Sequence, residues 1–430
     1  MISGGLGDPT VVWKFGGTSV GNPERVRAVA DRMVAAHRDG SRVVAVLSAM
    51  GHVTDDLVAR AHEMSARPPL RELDALLSVG ESVSVALTAM AIHELGARAV
   101  SLTGGQAGML TDSTYGNARL VAVHPDRIRA ALDDDAIVLV TGFQGVSGDG
   151  DVTTMGRGGS DASAVAVAAG LGLSECDIYT DVDGIYTADP RIVPEARRLR
   201  TLRHGEMLEM AEAGAGVLQP RAVELAAEHG VDIHLRSSFS AEPGTRVRAG
   251  AGSPPRHADF EHPSVVGVAH RRADPLFAVH GVPPTGVLAA LAARSTSAGL
   301  VRVSGDLVEF TAPGAEIDEV DTLLDTLVGP GAQRTVRVDL GTVSLISPGI
   351  TRNPGLAAGV LAELDRAGFG PRFVVTTPAR ISVHLDSADV EEAVRVLHRR
   401  FVPAGEPAPE PAAVVEDARA GEPAVAAAGR

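Results

Sequence analysis

The sequence predicts an α/β protein in which an open, mainly parallel sheet flanked by helices is followed by two ferredoxin-like modules. Three observations point there. Strand-length apolar runs alternate with helix-length amphipathic runs from Val11 to about residue 240, as in βαβ units whose strands are buried on both faces. A stretch rich in Gly, Pro, Ser and Arg then interrupts the alternation. Beyond it, shorter strands and helices recur in two units of roughly 65 to 70 residues with a similar element order. The expected organisation is an N-terminal extension at 1–10, a large α/β domain at 11–240, a linker at 241–263, the paired modules at 264–402 and a disordered tail at 403–430.

In order, Val11 to Lys14 reads as a strand and Pro23 to His37 as a helix, with Val26, Val29, Ala30 and Met33 on one face. Val43 to Leu47 is a second buried strand, ending at Ser48-Ala49-Met50-Gly51. Leu73 to Leu95 is a long helical pattern interrupted at Gly80, with Glu81 directly after it. Strands at Ala99 to Leu102 and Ala136 to Thr141 follow, the latter ending in Gly142-Phe143-Gln144-Gly145. A glycine-rich turn within Thr153 to Ser163, read TTMGRGGSDAS, opens a small-residue helix at Ala164 to Ala169. Asp177 to Thr180 is a strand, followed by DVDGIYTADPR at 181–191. Helices at Glu206 to Met210 and Pro220 to Glu228 and a closing strand at Val231 to Leu235 complete the large domain.

In the modules, strands are expected at Val265 to Val268, Phe277 to Val279, Val301 to Val303 and Leu307 to Thr311, with helices at Val287 to Ala293 and Glu316 to Leu327. The second unit reads as strand Thr342 to Ile346, helix Leu356 to Ala367, strands Phe373 to Thr376 and Ile381 to Leu385, and helix Val390 to Phe401.

Composition narrows the chemistry. A net charge of -15 argues against nucleic acid or an anionic membrane as the main partner, since both need a basic footprint. The single cysteine, Cys176, leaves no disulfide framework and no cysteine-based zinc site. No basic start with an apolar run precedes Val11, and no uninterrupted apolar stretch has the length of a bilayer span, so a cytoplasmic address is expected.

Among 39 strong cations, Lys14 is the only lysine. It stands in KFGGTS, where Gly16 and Gly17 let backbone approach an anion and Thr18 and Ser19 add donors at a helix start. Lysine is a compact point charge, unlike the planar arginine fork, and the stretch reads as a phosphate cradle. The turn carrying Ser160 and Asp161 is a second anion-binding candidate.

KFGGTSV at 14–20, SAMG at 48–51, LLSVGE at 76–81, MGRGGSD at 155–161 and YTDVDGIYTADPR at 179–191, in that order, closely resemble the aspartate kinases of the amino-acid kinase family. The modules resemble, more loosely, the tandem ACT domains of those enzymes. The resemblance implies the amino-acid kinase fold and transfer of the ATP γ-phosphoryl group to the β-carboxylate of L-aspartate, with Mg²⁺ on the ATP phosphates through ligands left unassigned. It implies that Lys14 bridges the transferring phosphoryl oxygens, with Gly16, Gly17 and Ser19 beside it, and that Asp161 orients Lys14; Asp161 as the N-cap of the following helix remains the alternative. On the substrate side, Arg157 would pair with the aspartate α-carboxylate and Glu81 with its ammonium group, with Ser48, Thr54 and Ser160 adding polar contacts. Thr180, Asp181, Tyr186 and Arg191 match the family's nucleotide-side residues; Asp183, Gly184 and Pro190 also suit a plain turn. A homodimer through the ACT units is expected.

The departures matter as much. In MLEMAEAGAGVLQPRAVE at 207–224, Gly216 and Gln219 stand where the family usually has Lys and His. A second phosphate-neutralising lysine is therefore missing, with Arg221 as a candidate replacement. The loop Gly281-Val282-Pro283-Pro284-Thr285-Gly286 is one residue short of the family's effector loop and lacks its Asp, and Val375-Thr376-Thr377-Pro378 replaces a STSE-like run. Weak or absent feedback by lysine and threonine is expected. Two other readings are a catalytically weak amino-acid-sensing or partner-binding subunit, and a kinase for another small amino-acid carboxylate.

Overall fold

The computed structural model describes residues 9–250, 265–294, 296–313, 317–327 and 333–402. Most of the expected N-terminal extension, most of the expected linker and the tail at 403–430 lie outside the described residues.

Eight strands form the main sheet, in the order Thr201–Arg203, Thr245–Arg248, Asp232–Ser237, Glu175–Thr180, Thr10–Phe15, Arg42–Leu47, Ile137–Thr141, Ala99–Leu102. All neighbours are parallel except the pair Asp232–Ser237 and Thr245–Arg248. The inner strands are buried on both faces, which explains their unbroken apolar character. Val12, Val44, Val46, Val138 and Val140 join one core, and Trp13, Phe15, Val43, Ala45, Leu47, Ile137 and Leu139 the other. Helices Pro23–Arg38 and Val79–Glu94 cover the second face through Val26, Val29, Ala30, Met33, Val85, Ala89 and Ile92. Helices Gly159–Leu171, His204–Glu212 and Pro220–His229 cover the first. Pro23–Arg38 starts where it does because the Asn22 side chain accepts from the Arg25 N–H and Pro23 sits in the first turn.

The structure departs from the sequence reading in several places. The expected helix Leu73 to Leu95 is two helices, Leu70–Leu77 and Val79–Glu94, meeting at Ser78. Together they are long and apolar enough to cross a membrane, but Glu81, Ser84 and Thr88 are buried on the inner face, as in a core helix. Helices Val53–Met64 and Asp126–Asp133 were not anticipated, nor was a small sheet of Leu120–Val123, Met109–Thr111, Gln144–Ser147 and Val152–Thr154, whose strands are too short for a visible period. The linker expected from residue 241 instead begins with the main-sheet strand Thr245–Arg248, with Thr245 and Val247 fully buried against Asp232–Ser237.

The modules are nested, not consecutive. Leu276–His280, Pro284–Ala293, Val301–Ser304, Leu307–Thr311, Ile317–Asp325 and Gln333–Arg337 make one complete four-stranded unit. It is inserted into the other, whose sheet runs Gly267–Arg271, Leu340–Ile346, Arg380–Asp386, Phe373–Thr376. Gly267–Arg271, preceding the insertion, fills the position of the last ferredoxin-like strand. A linear reading assigns that strand to the first unit because only tertiary pairing shows where it goes.

The two regions share a core. Ala188, Ile192 and Val193 pack with Val268, Val343, Val390, Val394 and Leu397 of the outer module. The Val268 N–H donates to the Thr187 carbonyl at 2.8 Å, and the Thr187 hydroxyl meets His398 Nε2 at 2.9 Å.

Candidate active site

The strands Thr10–Phe15, Arg42–Leu47, Ile137–Thr141 and Glu175–Thr180 lie side by side and deliver their C-terminal ends together. Chain order reverses between Thr10–Phe15 and Glu175–Thr180, the place where open α/β sheets bind ligands. The Gly16 N–H crosses this line to the Tyr179 carbonyl at 3.1 Å.

Lys14, the penultimate residue of its strand, is buried, and its Nζ lies 2.6 Å from Asp161 Oδ1. Asp161 does not cap its helix: Gly158 holds the cap position with positive φ and no side-chain cap, so the carboxylate in the first turn is turned to Lys14. Gly17 must be small, because a Cβ there would stand 2.8 Å from the Ala49 carbonyl oxygen. The KFGG and SAMG turns are thereby packed together. Ser19 is buried, with its hydroxyl 2.6 Å from that of Ser238.

Glu81 lies in the first turn of Val79–Glu94 and is 3% exposed. Its Oε1 accepts from the Ala49 N–H at 3.1 Å, while Oε2 is buried with no hydrogen-bond partner. Burial pushes its pKa up to about 7, against the partial offset of the Ala49 bond. An unpaired buried carboxylate costs free energy that an ammonium ligand would recover. Ser48 is half-buried at the end of its strand, and Thr54 is half-buried in the first turn of Val53–Met64.

Arg157 is exposed between two glycines with positive φ, Gly156 at 70° and Gly158 at 73°. Ser160 packs against Gly142, where a Cβ would lie 2.8 Å from the serine Oγ. Phe143, next to it, holds a left-handed φ of 67°, an uncommon conformation for a bulky residue.

On the far side of the switch, the Thr180 hydroxyl donates to Asp181 at 3.1 Å and the Tyr186 hydroxyl to Asp183 at 2.9 Å. Arg191 makes a bidentate pair with Asp189 and is largely exposed. It sits on the segment anchored in the outer module's core by Ile192 and Val193. The structure thus joins Lys14, Asp161, Gly16 and Gly17 tightly and leaves Tyr186 and Arg191 paired to their own loop neighbours.

Arg221 is not the replacement for the missing lysine. Its guanidinium donates to the carbonyls of Met155 and Ala118, each at 2.7 Å, and is committed to backbone. A Cβ at Gly216 meets nothing within 4 Å, so that position faces open space. Sequence reasoning also missed Asp74, a fully buried carboxylate under the Thr154 end of the glycine-rich turn. An acidic residue amid apolar helix positions was the only available signal. Among the described residues, one cluster has metal-ligand composition, Glu175, Asp177 and His234. It lies at the start of its strands, and His234 is engaged at both ring nitrogens, by Asp177 at 3.0 Å and the Pro243 carbonyl at 2.8 Å.

A buried lysine–carboxylate pair at the switch point, flanked by glycine turns and a buried glutamate with one unpartnered oxygen, is the arrangement that a phosphotransferase for a small amino acid needs. Family comparisons agree: the amino acid kinase family matches residues 9–237 and an ACT domain matches 343–401. The chain is 44% identical to the aspartokinase of Mycolicibacterium smegmatis over 408 residues, spanning 91% of this chain and 96% of that one. It is 41% identical to the aspartokinase of Geobacillus stearothermophilus over 401 residues, spanning 91% and 97%. Its fold matches E. coli aspartokinase III in complex with aspartate and ADP with a TM-score of 0.76 at 24% identity, covering 91% of this chain and 99% of that chain. The chain belongs to the amino acid kinase family, in its aspartokinase branch.

Proposed function

We propose that the protein is an aspartate kinase that transfers the ATP γ-phosphoryl group to the β-carboxylate of L-aspartate, and that Lys14 carries most of the charge neutralisation. A carboxylate is already a nucleophile at neutral pH, so no base is needed. The barrier lies in bringing two anions together and stabilising charge on the transferring group. Lys14, aligned by Asp161 at 2.6 Å, supplies the ammonium at the end of the central strand. Glu81 takes the substrate ammonium and Arg157 the α-carboxylate, with Ser48, Thr54 and Ser160 as further polar contacts. Gly16, Gly17 and Ser19 shape the turn under the phosphates, and Thr180, Asp181, Tyr186 and Arg191 line the nucleotide side. Mg²⁺, when bound, would neutralise charge on the ATP phosphates, and the reaction would take place in the cytoplasm. The unpartnered Glu81 Oε2 is the observation that carries the acceptor assignment. Purified protein with MgATP, L-aspartate and hydroxylamine should form aspartyl hydroxamate, and none should form with succinate, which lacks the ammonium group. Hydroxamate formation at equal rate from succinate would overturn the Glu81 assignment.

The paired modules form a homodimer with weak or no response to lysine and threonine. The Gly281 to Gly286 loop supports the weak response: Pro283 and Pro284 start helix Pro284–Ala293 directly, leaving no acidic side chain in the turn.

A further inference from the structure

Arg157 sits in a turn whose two flanking glycines adopt left-handed φ, a conformation open to rearrangement unless neighbours hold it. Neighbours from two other elements do. From helix Leu70–Leu77, Asp74 Oδ1 accepts from the Gly116 N–H at 3.0 Å and the Thr154 hydroxyl at 2.6 Å. Its Oδ2 accepts from the Gly116 N–H at 3.0 Å and the Thr154 N–H at 2.9 Å. From the start of helix Pro220–His229, Arg221 donates to the carbonyls of Met155 and Ala118. Gln219 covers Gly158 so closely that a Cβ there would lie 2.3 Å from the Gln219 Cβ. The Ala118 N–H closes the arrangement by donating to the Thr154 carbonyl at 2.8 Å. Thr154, Met155 and Gly158, on both sides of Arg157, are therefore each held by a side chain from elsewhere in the domain. Both charged clamps are buried or half-buried and spend their capacity on backbone or Thr154, not on each other.

We propose that Asp74 and Arg221 are positioning residues for the amino-acid substrate: gripping the 154–158 turn from opposite sides, they set the direction in which Arg157 meets the α-carboxylate. The proposal rests on the assignment of Arg157 to that carboxylate. Lysine at 221 can reach only one of the two carbonyls, and asparagine at 74 presents donors to donors. The hydrogen bonds of Asp74 and Arg221 go to Gly116, Ala118, Thr154 and Met155, whereas Thr180, Tyr186 and Arg191, assigned to the nucleotide side, bond to Asp181, Asp183 and Asp189.

The test is a kinetic cycle on the full-length protein. Arg221→Lys and Asp74→Asn should each raise the KM for aspartate at least ~10-fold while changing the KM for ATP by less than ~2-fold. In an Arg157→Lys background, either substitution should add less than ~3-fold, because the group it positions has already been replaced. Full multiplication of the two effects, or an equal rise in the KM for ATP, overturns the proposal. Should circular dichroism show either variant unfolded, the cycle is run with Thr154→Val, which deletes only the hydroxyl bond to Asp74. An unchanged aspartate KM in that variant also overturns the proposal. If Arg157→Lys alone leaves the aspartate KM unchanged, the acceptor assignment fails instead, which keeps the two failures apart.

Discussion

Replacing Glu81 by Gln should weaken substrate binding and stabilise the ligand-free protein at the same time. Glu81 is 3% exposed, has one oxygen unpartnered, and has its pKa pushed up to about 7 from an ordinary 4.5. Because the folded value lies above the unfolded one, the unfolded chain releases this proton more readily. The group's contribution to stability is therefore fully present below about pH 4.5, falls as pH rises towards 7, and is lost above it. At about 1.4 kcal/mol per pH unit of displacement, the ionised carboxylate opposes folding by roughly 3 kcal/mol at pH 8. Glutamine mimics the protonated acid in shape and charge. The variant should match the wild type at about pH 4 and exceed it by up to ~3 kcal/mol at pH 8. Urea titrations at both pH values, followed by the fluorescence of the sole tryptophan, Trp13, which packs edge-on against Phe15 and Tyr179 in this domain, measure it. The same variant should raise the aspartate KM at least ~100-fold, and wild-type kcat/KM for aspartate should fall on the acid side with a pKa near 7. Equal stability at pH 8, or an aspartate KM within ~3-fold of wild type, would refute the reasoning.

Gly216→Lys should lower the KM for ATP or raise kcat by about 3- to 30-fold, because open space surrounds the position, and the aspartate kinases that the sequence resembles usually carry a phosphate-neutralising lysine there; steady-state kinetics with varied ATP read this. Lysine and threonine up to millimolar concentration should leave the initial rate within ~2-fold, in line with a loop that lacks an acidic contact for an amino-acid ammonium. Strong inhibition by either one contradicts it. Light scattering should return twice the mass of the 44.2 kDa chain, and the monomer mass would rule out pairing through the modules.

Much of the candidate site was legible in the chain because the chemistry dictates residue type at strand ends. Lys14, Glu81, Arg157 and Asp161 all stand within two residues of a glycine, and each falls near the point where an apolar run stops or a helix begins. The main sheet was legible because strands buried on both faces read as continuous apolar runs. What escaped detection depends on contacts between distant residues. Strand Thr245–Arg248 has only four residues of alternation inside a turn-rich stretch, so its burial shows only when Asp232–Ser237 lies beside it. The nesting of the modules is invisible without the pairing of Gly267–Arg271 to Leu340–Ile346. Arg221 reads as a free cation in sequence, yet its position between the Met155 and Ala118 carbonyls makes it a clamp.

The central claim is that one lysine does the phosphoryl-neutralising work. The most direct test compares wild type with Lys14→Arg in aspartate-dependent ADP release and hydroxamate formation under saturating MgATP. Arginine keeps the charge but cannot fit a compact ammonium's place against Asp161 at 2.6 Å. A fall of at least ~1,000-fold in kcat, with aspartate binding retained in calorimetry, is the predicted result. A rate within ~10-fold of wild type would contradict the account.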